Sequence, residues 1–219
     1  MAQAMHSAST KRELSAVQRR TEAKGISMSR ADLLRLGGLS LAAALLVLTI
    51  FLPYWSITLH APQYPKGLTI NAFVHEMRGD VSEVDGLNHY IGMIKLETAA
   101  SLERTVSRIA IPIIALLALL SFWVQGRWRW LLATPAIIYP VIFAIDLFSW
   151  LYYAGHALDP KAALSSSIHP FTPTILGTGI IGQFSTVASF GIGYYLAVLS
   201  AIIVLAVTIR GRSRDVSPS

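Results

Sequence analysis

Cysteine is absent from the 219 residues, which excludes a disulfide framework, a thiolate metal site and a lipidated cysteine. Any metal site must use His, Met or carboxylate. Charge is also scarce. Asp, Glu, Lys and Arg make up 14% of the chain against 53% hydrophobic residues, whereas a soluble domain carries roughly 25% charge. With a mean hydropathy of +0.54, the composition names the bilayer as solvent. There is no G-x-S-x-G elbow, no P-loop and no H-E-x-x-H, so the parts of several enzyme classes are missing and the chain is expected not to be an enzyme. No apolar stretch holds a histidine away from its ends. No haem is therefore expected, because a membrane b-type haem takes axial imidazoles from within helices.

Four apolar stretches are present, at about 33–54, 109–124, 131–153 and 186–209, and a helical span needs about 20 such residues. Lipid offers no partner to free backbone groups, so these stretches are expected to be helices. The expected fold class is an all-α membrane protein: four transmembrane helices with a small extracytoplasmic β-containing loop cap. Over thirty residues precede the first stretch and Pro53-Tyr54-Trp55 follows it, which marks an anchor rather than a cleaved signal.

Lys11, Arg12, Arg19, Arg20, Lys24, Arg30, Arg35, Arg127, Arg129, Arg210, Arg212 and Arg214 share one side of that layout. The positive-inside rule makes it cytoplasmic, with both termini inside. The division is then a basic tail (1–30), a membrane domain (31–209) with outer loops 55–105 and 154–185, and a second tail (210–219). Thr10 and Glu13 have capping-box spacing, beside the plainer reading of a loose basic tail near anionic headgroups. The net charge of +6 is split among three short flanks without interleaved aromatics, so no nucleic acid is expected as a partner.

Residues 53–97 are the most informative stretch. Trp55, Ile57 and Leu59 alternate with Ser56, Thr58 and His60, and Leu68, Ile70, Ala72 and Val74 alternate again, which reads as strands. Tyr64-Pro65-Lys66-Gly67, Arg78-Gly79-Asp80 and Asp85-Gly86 read as turns between them. The result is a small β-meander lying on the helix ends. Gly177, Gly179 and Gly182 predict irregular backbone in the second outer loop. Gly37, Gly38 and Ala42, and again Ser185, Ser189 and Gly193, form small-residue packing faces.

Five histidines, His60, His75, His89, His156 and His169, fall outside by this topology, with Met77 and Met93 near two of them. Imidazole with thioether and no thiolate suits copper. His89, Met93, His75, Met77 and His60 are the candidate ligands, and a helical turn at 86–93 would put His89 and Met93 on one face. The same Asn88 and His89 could instead tie a turn to the bundle. Asp80, Glu83 and Asp85 are either a cation-attracting cluster or a solvated face. Asp146 lies inside the third stretch, where a carboxylate costs about 2.5–3.5 kcal/mol on insertion scales. It is either functional or paired with Arg104 or Arg108.

Pro53-Tyr54-Trp55, Ala61-Pro62-Gln63-Tyr64-Pro65, Gly67-Leu68, Gly79-Asp80-Val81 and Gly86-Leu87-Asn88-His89-Tyr90-Ile91-Gly92-Met93 resemble a group of small bacterial four-span membrane proteins encoded near maturation genes of nitrous-oxide reductase and related periplasmic copper proteins. The resemblance implies an inner-membrane accessory protein that binds or delivers copper to a periplasmic oxidoreductase, with His89 and Met93 as the positions to test. Two alternatives stand beside it. One is a non-catalytic subunit or assembly factor docking a periplasmic or membrane redox partner; the other is a small-solute permease using Asp146.

Overall fold

The computed structural model describes residues 28–164, 166–181 and 184–215. The spacing of Thr10 and Glu13 falls outside them. Backbone contacts divide the chain into two units, Met1–Arg35 and Leu36–Ser219. In the first, Ser29 and Asp32 form a reciprocal cap: the Asp32 amide donates to Ser29 Oγ at 3.2 Å and the Ser29 amide to Asp32 Oδ2 at 3.3 Å. This satisfies two of the amides that a helix start leaves free.

The described elements are helix α1 (Arg30–Leu48) with a 3₁₀ turn (Thr49–Phe51), strands β1 (Trp55–Ala61), β2 (Tyr64–Ala72) and β3 (Met77–Gly79), and helices α2 (Val81–Ile91), α3 (Ser101–Leu120) and α4 (Arg127–His156). Strands β4 (Gly177–Ile181) and β5 (Phe184–Phe190) and helix α5 (Ile192–Asp215) follow. The fold is therefore a mixed α/β one. The expected all-α four-helix bundle with a loop cap is overturned by a five-stranded antiparallel sheet of order β3-β2-β1-β5-β4.

The sheet unites what the sequence presents as two loops. β1 pairs with β2 on one side, Trp55 opposite Ala72, and with β5 on the other, Trp55 opposite Phe190. Two expectations fail here. Gly177 and Gly179, expected in irregular backbone, lie in β4. The fourth apolar stretch, expected as helix from about residue 186, is strand over 184–190, and the helix begins at Ile192. Phe184, Thr186, Ala188 and Phe190 alternate with Ser185, Val187 and Ser189, a period of two that the continuous apolar character concealed. Tyr64–Gly67 is not a turn but the start of β2. Pro62-Gln63 makes the hairpin, and a register irregularity with Gly67 at φ +76° absorbs the extra residues.

Alternation gives the sheet two faces. Ser56 donates to Asn71 at 3.0 Å and Thr58 lies 3.0 Å from Thr69, one hydroxyl to the other, on the polar face that also carries His60. Trp55, Ile57, Leu59, Leu68, Ile70 and Ala72 make the apolar one, facing the helices.

Three helical stretches are long and apolar enough to cross a membrane: Arg30–Phe51, Arg127–His156 and Ile192–Gly211. The expected second span is a helix, α3, but Glu103, Arg104 and Arg108 occupy its first half. Its apolar part, 109–120, covers only about 18 Å at 1.5 Å per residue. Leu39, Ala42, Ala118, Ala133, Ala136 and Val204 join α1, α3, α4 and α5 in one buried cluster, and a second contains Ala43, Leu46, Tyr54, Ile111, Ala115 and Ala197. Alanine dominates because small residues let helices approach closely. The small-residue face of α1 serves this purpose in part. A Cβ on Gly38 would stand 2.9 Å from Val207, and Ser200 donates to the Ala42 carbonyl at 2.8 Å, whereas Gly37 faces open space.

Candidate functional site

Beneath the apolar face of the sheet lies a cavity of about 400 Å³. Three helical stripes complete it. Val84, Leu87, Asn88 and Ile91 come from α2; Glu103, Arg104, Ser107 and Ala110 from α3; Tyr139, Phe143, Asp146, Leu147, Trp150 and Ala154 from α4. Each set recurs at three- and four-residue steps, the spacing that keeps side chains on one helix face. The walls are overwhelmingly apolar, so the few polar groups set what the cavity can hold.

Four polar groups stand out. Asp146 and Glu103 lie at the same level of the antiparallel α3 and α4, close enough to interact electrostatically. Glu103 Oε2 is buried and without a hydrogen-bond partner, as is the hydroxyl of Thr186, whose residue is 0% exposed. Thr186 sits on the sheet face opposite Leu59. Behind Tyr139 of the cavity wall, Thr49 donates to the Leu46 carbonyl at 2.6 Å, so the Tyr54 hydroxyl, also 2.6 Å away, is the donor to Thr49. Tyr139 in turn bonds to Tyr54. Burial holds the Tyr54 phenol above its ordinary pKa, so it keeps its proton for that chain.

Arg104 does not neutralise the carboxylates. Its guanidinium donates to the carbonyls of Leu96 (3.3 Å), Glu97 (2.7 Å), Ala99 and Ala100 (3.4 Å), fixing the approach to α3. Arg108 donates to the His75 carbonyl at 3.5 Å. Among the described residues, the pairing of Asp146 with Arg104 or Arg108 is not formed within 4 Å.

The acidic cluster at 80–85 is largely structural. Asp80 accepts the Thr69 amide at 2.8 Å, latching α2 to β2. Asp85 accepts the amides of Leu96 at 2.6 Å and Glu97 at 3.1 Å, and Asn88 donates to the Ile94 carbonyl at 3.4 Å. Glu83 is exposed and takes the Ser82 hydroxyl. Asp85-Gly86, expected as a turn, lies inside α2, where nothing crowds Gly86.

The sequence-selected ligands are dispersed. His60 is on the polar face of the sheet, over Gly67. His75 is in the β2–β3 loop with Nε2 3.3 Å from Glu76. His89 is exposed on α2, while Met93 lies past the left-handed Gly92 that ends the helix and turns into the cavity wall. His89 and Met93 thus do not share a helix face. Met77 lines the same cavity as Met93. His156 stacks on Tyr152 at 4.0 Å and His169 is exposed. Among the described residues, no group of three His, Asp or Glu converges as a metal site.

Asp146 does face the cavity, on its α4 stripe. Thr186 and Glu103 were not singled out from the sequence; the alternation around Thr186 and the three- and four-residue steps of Ala100, Glu103 and Ser107 are the signals that could have found them. Neither a family model nor a curated protein sequence matches the chain.

Proposed function

We propose that the chain is a membrane-embedded binding protein that takes up an apolar molecule from the bilayer into the cavity beneath its sheet. The cavity carries this reading. Its volume falls in the range of about 300–1,000 Å³ typical of small-molecule sites. Val106 and Ile142 belong both to its wall and to the exposed surface, at 51% and 53% exposure, beside exposed Leu102 and Ile145. The opening between α3 and α4 therefore lies on an apolar surface, which suits lipid rather than water.

The membrane setting follows from α4. Trp130 and Trp150 are separated by about 30 Å of helix at 1.5 Å per residue, which matches the hydrocarbon thickness between two aromatic belts. Asp146 then sits about 6 Å inside the belt on the sheet side. Chain connectivity makes α3 a fourth, partly polar crossing, since it returns the chain from the sheet to the start of α4. The positive-inside rule applied to the basic flanks supports an orientation with the sheet outside and the termini in the cytoplasm. Arg129 supports that side only in part, because it is buried and donates to the Val124 carbonyl at 3.2 Å, a structural duty.

The test uses Trp55, which is 4% exposed and lines the cavity. A brominated alkane added to the protein in phosphatidylcholine nanodiscs is expected to give a saturable quenching component of which Trp55→Phe removes the Trp55 part. Ala110→Phe, which places a ring in the cavity, should weaken that component at least about tenfold, since a misplaced group in a pocket readily costs the 1.4 kcal/mol that a decade requires. Quenching that never saturates, or whose saturable part is undiminished in Trp55→Phe, would contradict the reading; Trp150, which also lines the cavity, keeps the remainder.

One observation favours a second reading, copper handling for a periplasmic or membrane redox partner. Met77 and Met93 line one cavity, and thioether sulfur prefers Cu(I). The site narrows to those two residues, with His60, His75 and His89 as outer positions. Cu(I) affinity measured against a chromogenic chelator should fall at least about tenfold in Met77→Leu/Met93→Leu; an unchanged affinity would sink it.

A further inference from the structure

The cavity's polar groups specify more than an apolar ligand. Resting on the binding role just proposed, we infer that the ligand is an amphiphile with a cationic amine head, seated between Glu103 and Asp146, and an apolar chain lying under the sheet.

The argument is one of complementarity. Two carboxylates from different helices face one cavity, and among the described residues no Lys, Arg or His nitrogen stands within 4 Å of either. The nearest cation in sequence, Arg104, is committed to four carbonyls. Glu103 Oε2 is buried with no donor. A buried acceptor of this kind is costly unless something supplies the hydrogen bond. An ammonium offers three donors and the opposite charge, so it can serve both carboxylates at once.

Thr186 is the independent observation. Its fully buried hydroxyl lacks a partner on the roof of the same cavity. A second polar group along the ligand, such as a hydroxyl, would meet it. The alternatives fit worse. An anionic head, as on a fatty acid, would be repelled by both carboxylates. A divalent cation takes six or more oxygen ligands or several waters, and the other polar side chains of the wall, Asn88, Arg104, Ser107 and Tyr139, are bonded elsewhere.

The bilayer opening at Val106 and Ile142 suits such a molecule. Glu103 lies in the first turn of α3, near the interface, where an amine anchored among headgroups would present itself. The chain would then pass inward, along Phe143 and Leu147 toward Trp55.

The experiment compares three brominated probes of equal chain length in neutral phosphatidylcholine nanodiscs: a primary amine, a carboxylate and an uncharged alkane. Each is read by the Trp55-dependent quenching component. The amine is expected to bind at least about tenfold more tightly than the carboxylate, because charge matching at one site is worth that ratio or more. In Glu103→Gln/Asp146→Asn the preference should shrink to within about twofold, while alkane binding persists. Equal binding of amine and carboxylate to the native protein would overturn the inference, as would a preference that survives the double substitution. Loss of alkane binding to the native protein would instead remove the underlying cavity reading, so the two failures are separable. A double variant that does not fold leaves the native comparison to decide.

Discussion

Replacing Tyr54 with alanine should destabilise the protein by about 3–5 kcal/mol, the range for deleting a large buried aromatic. Tyr54 is 0% exposed and joins the end of α1 to the start of β1. Its ring packs 4.7 Å from Phe143 and, edge-on, 6.2 Å from Tyr139, and its backbone amide donates to the Ala72 carbonyl at 2.8 Å. The substitution removes the packing and the middle of the Tyr139–Tyr54–Thr49 chain, leaving Tyr139 without its acceptor. Tyr54→Phe keeps the ring and should cost about 1–3 kcal/mol, the range for stranding a buried polar group. Unfolding by sodium dodecyl sulfate in mixed micelles would measure both. A loss below about 1 kcal/mol for Tyr54→Ala would show that the helix–sheet junction is looser than its burial implies.

The contrast between β1 and β5 shows what the sequence makes legible. Both alternate, and both place an apolar set on the cavity face. β1 was readable because its outward positions are Ser56, Thr58 and His60, so the polar beat is strong and a turn residue follows. In β5 the outward beat is Ser185, Val187 and Ser189, and a long helix follows at once. The pattern merged with the helix into one apolar run. Pairing between β1 and β5 joins segments about 130 residues apart, and no local periodicity encodes such a partner. That single pairing turns two loops into a sheet and the expected all-α fold into a mixed one.

Helix α2 failed for the opposite reason. Asp85 and Gly86 carry turn chemistry, yet Val84, Leu87, Asn88 and Ile91 keep a helical step. Burial of that stripe against the sheet outweighs roughly 1 kcal/mol of glycine penalty. At the site, Asp146 was legible because a carboxylate in an apolar run has no local excuse. Its counterpart Glu103 was not, since an acidic residue in the first turn of a helix is ordinary. Only the hairpin of α3 and α4 brings them to one level. The histidines lie apart for a related reason. The charge pattern predicts one side of the membrane for them, but sidedness does not set direction, and the strand and helix phases send His60 and His89 away from the cavity that Met77 and Met93 line.

Gly155→Ala should damage both stability and binding, because this glycine lets the 171–175 segment, with Pro173, close against the cavity. It lies buried in the last turn of α4, and its carbonyl accepts the Phe171 amide at 3.1 Å. An added Cβ would stand 1.9 Å from the Phe171 carbonyl oxygen, 2.9 Å from its carbon and 3.3 Å from Pro173 Cδ. Backbone cannot rotate aside as a side chain can, so the segment has to lift. Pro173 is part of the cavity wall, and the Ile175 carbonyl holds the Trp55 indole at 2.7 Å. Overpacking of this kind costs typically 1–3 kcal/mol and occasionally more. The same variant should lose the Trp55-dependent quenching by brominated alkane. Gly86→Ala is the matched control: Gly86 is exposed in α2 and nothing stands within 4 Å of its Cβ position. That substitution should stabilise the helix by about 0.5–1 kcal/mol and leave binding intact. If Gly155→Ala behaved like Gly86→Ala in both measurements, the segment 171–175 would not help to close the cavity.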